Sequence, residues 1–192
     1  MGLLNASYGP APTPGRFVNG ILFNVAWLAI VLSHSSLLAV AITAAYLSTH
    51  FLFIGKGRAE LQLIVVVTLC GAFVDQLLFR TGVFNLAGQP ALAPLWLTCL
   101  WPVFASTLMH SFAALQNRLV LAAVVGALGG TLSYTAGVRL TPVDFGSPLW
   151  SPIILGALWA AVFPAVLRFA ARLSDPDDAL QSWVPEARRA LD

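Results

Sequence analysis

The stretch TLCGAFVDQLLFRTG, Thr68 to Gly82, reads as the outer half of a membrane-buried helix, yet it carries Asp75, with Arg80 five residues later. If this stretch crosses lipid, the chain is a membrane bundle and Asp75 is its most informative residue. A charge at the centre of a membrane helix costs about 2.5–3.5 kcal/mol on the insertion scale. Such a side chain belongs against other helices, not against acyl chains.

The rest of the chain agrees with the bilayer reading. Of its 192 residues 58% are hydrophobic and only 9% charged, with a mean hydropathy of +0.83. A soluble domain averages about 25% charged residues, so this chain lacks the polar surface to cover a water-soluble globule. Long continuous apolar runs, not short alternating ones, favour helices over an outer-membrane barrel. The expected fold is therefore all-α, a polytopic bundle. The net charge of +2 is too small to suggest nucleic acid, no basic patch with interleaved aromatics is present, and no nucleic-acid partner is expected. Cys70 and Cys99 lie in apolar spans without C-x-x-C spacing and read as two small buried hydrophobes.

Six spans are expected, at roughly 17–33, 36–54, 61–80, 92–114, 119–138 and 150–170, forming a membrane domain over 17–170. Only the polar SHSS of Ser33 to Ser36 divides the first two. An unbroken helix there would reach about 57 Å, almost twice the hydrocarbon thickness. The apolar sequence of 17–54 is also far longer than a signal-peptide core, so no cleaved leader is expected. Pro102 and Pro164 fall within spans and predict kinks.

Basic residues orient the bundle. Arg16, Lys56, Arg58, Arg118, Arg168, Arg172, Arg188 and Arg189 fall on one side, and Arg80 and Arg139 on the other. The positive-inside rule then places both termini in the cytoplasm. Segment 1–16 becomes a cytoplasmic N-terminal segment, and 171–192 a cytoplasmic tail that is a short surface helix or disordered. No internal repeat suggests an inverted-repeat transporter.

Depth then follows from helical rise. Glu60 marks the cytoplasmic edge of span three, and Asp75 lies about 22 Å further along. Thr68, Gly71, Ala72 and Asp75 form a small, polar stripe, with Val65, Val66, Leu69, Phe73 and Leu77 pointing elsewhere. On span five Ala122, Gly126, Gly130, Ser133 and Gly137 make a small-residue row suited to close approach, read here as a surface matching span three. Tyr134 and Trp101 come level with Asp75, with Arg80 and Arg139 at the outer edge. Asp75 then either anchors an ion pair with one of these arginines or serves as a proton-accepting or ligand-contacting carboxylate.

A second polar set lies toward the cytoplasm: His50, then Ser106, His110 and Asn117 on one stripe of span four, while Asn24 is nearer mid-membrane. The simplest role for His110 is packing against a neighbouring hydroxyl or carbonyl. His50, His110 and Glu60 have the composition of a two-His-one-carboxylate metal site. They lie on separate spans, however, where spacing proves nothing, and no metal or cofactor is expected. Trp96 and Trp150 read as interfacial anchors.

Four runs, DQLLFRTGVF (Asp75 to Phe84), APLWLTCLWPVFASTLMHS (Ala93 to Ser111), GALGGTLSYTAGVRL (Gly126 to Leu140) and FNVAWLAIVL (Phe23 to Leu32), resemble a bacterial inner-membrane family, domain of unknown function (DUF) family 2878. The P-L-W-x-x-x-L-W and S-Y-x-A-G-x-R-L runs are the most specific. The resemblance covers about 17–170 and implies an inner-membrane location and company with fatty-acid-modifying enzymes. It carries over no catalytic residue.

The leading functional expectation is membrane-lipid modification or handling, alone or beside a membrane-bound lipid-modifying enzyme. Asp75, Tyr134 and His110 are the catalytic candidates, and Arg80, Arg139, Trp101 and Asn24 the ligand-binding ones. A structural or assembly subunit and a small proton-coupled transporter are the alternatives. Against the transporter, the cytoplasmic half offers no second carboxylate deep in a helix.

Overall fold

The computed structural model describes residues 14–55, 57–88 and 92–174. Among these residues five helices are long and apolar enough to cross a membrane: α1 (Pro14–Ser33), α2 (Ser36–Phe53), α3 (Arg58–Arg80), α6 (Leu119–Leu140) and α7 (Trp150–Ser174). The divide expected at SHSS is real. His34 takes a positive φ of 31° there, and Ser33 Oγ donates to the Ile30 carbonyl, which closes α1 without a glycine. Their outward faces carry large exposed apolar side chains, among them Leu37, Phe53, Phe73 and Val120. A water-soluble monomer does not expose such continuous apolar surface, whereas lipid requires it.

The expected fourth span, 92–114, is not one helix. Leu95–Thr98 (α4) and Leu100–Ala105 (α5) are short, and a run of turns follows, ending in a 3-10 turn at Ala113–Leu115. Pro102 accounts for the first break, because its ring has no N–H for the carbonyl of Thr98, four residues earlier. Beyond α5, Ser106 Oγ and Thr107 Oγ1 donate to the carbonyls of Val103 and Phe104 and compete with helical continuation. The segment is largely buried in protein, the setting in which irregular backbone is tolerated at membrane depth. Pro164, by contrast, sits inside α7 without ending it.

One element departs from the all-α expectation. The loops after α3 and α6 pair as an antiparallel ribbon of β1 (Phe84–Leu86) and β2 (Val143–Phe145), with Phe84 opposite Phe145 and Asn85 opposite Asp144. Gly146 is required beside it, since a Cβ there would overlap the Gly82 carbonyl. The ribbon closes one end of the bundle. Arg16, Arg58 and Arg118 lie at the other end, by the N-termini of α1, α3 and α6.

The small-residue row of α6 faces a different neighbour from the one expected. A Cβ on Gly126 would meet the Trp159 carbonyl and Phe163, and one on Gly130 would overlap the Trp159 ring. This row therefore lets α6 close on α7, the most extensively packed helix pair among the described residues, and not on α3. The stripe on α3 does face inward, against α5. A Cβ on Gly71 would overlap the Trp101 indole. The tail after Ser174, including its proposed surface helix, lies outside the described residues.

Candidate functional site: two buried carboxylates and an apolar groove

Asp75 is fully buried. Trp101 Nε1 donates to its Oδ2 at 2.6 Å, and the Tyr134 hydroxyl donates to its Oδ1 at 2.8 Å. The structure thus joins three of the sequence candidates from α3, α5 and α6. The indole of Trp101 lies over Gly71 and stacks on Trp159 of α7, ring centroids 5.5 Å apart and planes 7° from parallel. Tyr134 stacks on Phe84 of the ribbon at 5.3 Å. A hydrogen bond contributes about 0.5–1.5 kcal/mol net, and these two tie α3, α5 and α6 together.

The two arginines do not join it. Arg80 and Arg139 are exposed, and among the described residues Asp75 takes part in no ion pair. The ion-pair reading of Asp75 is replaced by neutral donors.

In front of this cluster runs a cavity of about 530 Å³. Its walls are one face of α1, from Gly20 to Val31, and one face of α6, from Val125 to Val138, with the broken segment between them. The face of α6 extends about 20 Å along the helix axis, so the cavity is an elongated groove. Gly129 and Gly137 line it, and a Cβ at either would meet nothing. Trp101 and Tyr134 form part of the wall, while Asp75 lies behind them. Asn24 reaches the groove from α1, its amide bonded to the Gly20 carbonyl at 2.8 Å. Trp96, expected as an interfacial anchor, is buried in the wall, whereas Trp150 is exposed. Cys70, expected buried, is exposed on the apolar face.

The second polar set is larger than the sequence suggests. Glu60, expected at the membrane edge, is fully buried. His50 Nε2 and His110 Nε2 approach the same oxygen, Glu60 Oε1, at 2.7 Å and 2.9 Å. Asn19, also fully buried, places its Nδ2 3.4 Å from His50 Nδ1, and its Oδ1 accepts from Ser111 Oγ at 2.7 Å. Tyr46 and Ser106 hydroxyls meet at 2.8 Å beside them. Asn117 is exposed and outside the set.

Asn19, Tyr46 and the depth of Glu60 escaped the sequence reading. A signal existed for Tyr46. Thr43, Tyr46 and His50 recur at three- and four-residue spacing and form, with Ala39, the buried face of α2.

The chain matches the family described as "Protein of unknown function (DUF2878)" over residues 16–165, and belongs to it. No curated protein and no solved structure matches it.

Proposed function

We propose that this protein handles a membrane lipid, seating an acyl chain in the groove between α1 and α6 and presenting the lipid for modification, alone or with a membrane-bound lipid-modifying enzyme. The observation carrying this reading is the groove itself. It is elongated, aromatic-walled and about 530 Å³, a size and lining typical of small-molecule sites between helices. Its polar atoms are few. Two of its aromatic walls are pinned by Asp75, which points to a wall whose shape matters. Arg80 and Arg139, exposed in the last turns of α3 and α6, the helices that carry Asp75 and Tyr134, suit a headgroup phosphate.

The setting proposed is a bacterial inner membrane. Counting the broken segment as a crossing gives six, with both termini on the arginine-rich, cytoplasmic side. The test is lipid analysis of a deletion strain complemented with wild type, Asp75→Asn or Tyr134→Phe. Loss of a lipid change at normal protein level supports the reading. An unchanged lipid profile returns the cluster to a structural role.

A second reading, a small proton-coupled transporter, is favoured by one observation. Glu60 supplies a second fully buried carboxylate on the same helix as Asp75, about 22 Å away. Proton flux in proteoliposomes that is lost in both Asp75→Asn and Glu60→Gln would move the assignment there.

A further inference from the structure

His50, Glu60 and His110 come from α2, α3 and the turns after α5, and each offers one metal-ligating atom. These atoms all lie within 4.8 Å of one another, and the three side chains are buried. We infer that they form a binding site for a divalent first-row transition ion of the zinc or ferrous class, with the two Nε2 atoms and a Glu60 oxygen as ligands.

The donor set fixes the class of ion. Two imidazoles and one carboxylate suit zinc or non-haem iron, whereas magnesium and calcium take oxygen ligands. Three protein ligands leave a coordination position open, the arrangement of a reactive rather than a purely structural ion. Metal bonds of about 2.0–2.2 Å place neighbouring ligand atoms about 3–3.5 Å apart. The two imidazole nitrogens stand 2.7 Å and 2.9 Å from the carboxylate oxygen. The His–His separation lies within 4.8 Å, so an ion enters if Glu60 withdraws by about half an ångström and the two imidazoles draw together to about 3.5 Å.

The surroundings fit an outer shell. A metal on His50 Nε2 moves the imidazole proton to Nδ1, which then needs an acceptor. Asn19 is placed to supply one. Its Nδ2 contacts to His50, Tyr46 and the Ser106 carbonyl are all 3.4 Å, long for hydrogen bonds. Turning the amide presents Oδ1 to Nδ1 and to the Tyr46 hydroxyl, leaves Nδ2 for Ser111 Oγ, and gives up the long contact to the Ser106 carbonyl. The chain also departs from helix where His110 must enter, between α5 and the 3-10 turn. Irregular helical geometry of this kind is frequent at functional sites.

The site adjoins the groove without opening on the Asp75 cluster. Ser111 lines the groove, and its neighbour His110 turns inward to Glu60. Asn19 and Gly20 divide in the same way on α1. The ion would lie directly behind the wall at the end of the groove remote from the ribbon.

The experiment uses the full chain purified in detergent without chelator, then stripped and reloaded with zinc, cobalt or, anaerobically, ferrous ion. Metal content is read by elemental analysis, the cobalt form by its visible absorption, and stability by melting with and without metal. The expected result is one ion per chain, a melting temperature raised by metal and lowered by chelator, and imidazole-type cobalt absorption. Glu60→Gln and His110→Ala should weaken binding by at least ~100-fold, and Asn19→Leu by about 10–100-fold. Cys70→Ser, on the exposed face, serves as the control and should bind as wild type. Folded wild-type protein that takes up none of the three ions overturns the site. So does affinity undiminished in Glu60→Gln and His110→Ala, which then assigns the trio to a hydrogen-bonded core. The measurement reads metal alone, so it stands or falls separately from the lipid reading.

Discussion

Asp75 and Trp101, 26 residues apart in the chain, meet at 2.6 Å because Gly71, one turn before Asp75, gives the indole a bare backbone to lie on. The carboxyl is thereby enclosed by partners that donate to it, and it carries no compensating arginine.

Removing that carboxyl leaves the Trp101 N–H and the Tyr134 hydroxyl buried without an acceptor. Each costs about 1–3 kcal/mol, so Asp75→Ala should destabilise the protein by roughly 2–6 kcal/mol. Asp75→Asn keeps the shape and one acceptor and should cost less than half as much. Thermal melts in one detergent check the order; equal melting of the two variants contradicts it.

Adjacent glycines on α6 should respond oppositely to the same change. Gly130→Ala drives a methyl into the Trp159 ring, whereas Gly129→Ala meets open space. The first should cost about 1–3 kcal/mol, and the second should be neutral or stabilising by about 0.5–1 kcal/mol. In a Trp159→Ala background the penalty at position 130 should largely vanish, which a double-mutant cycle reads directly.

Filling the groove should displace its occupant without disturbing the core. Gly129→Trp projects a large side chain from a position that has no neighbour within 4 Å. Native mass spectrometry should find co-purifying lipid on wild type and little on this variant, at unchanged helical content. Equal lipid on both proteins would place the acyl chain elsewhere.

The ribbon provides a test of fold and sidedness together. Asn85 and Asp144 are paired across β1 and β2, where Cβ atoms lie about 4.5–5.5 Å apart. Asn85→Cys combined with Asp144→Cys should cross-link on mild oxidation. In intact cells a membrane-impermeant maleimide should label Asn85→Cys and spare Arg118→Cys. The reverse pattern would invert the proposed orientation.

Much of the Asp75 cluster was legible before any tertiary contact was known. Helical rise put Asp75, Trp101 and Tyr134 at one depth, and the polar stripe of α3 showed which way Asp75 turns. What depth could not supply was rotation about the helix axes. Arg80 and Arg139 share that region but are exposed, and the glycines of α6 close on Trp159 instead of α3. Glu60 was misplaced because a charge near a helix start ordinarily marks the surface. Its burial depends on His50 and His110 arriving from other elements.

The sequence by itself determined the solvent and the element type. Long apolar runs need internally satisfied backbone in lipid, and this fixes helices and approximate ends. Tertiary structure alone decided which polar groups find one another. Unwinding after α5 brings His110 to Glu60, the ribbon ties α3 to α6, and separation of α1 from α6 opens the groove. These are relations between segments whose spacing along the chain carries no distance, because loops and breaks set the rotation and offset of each helix.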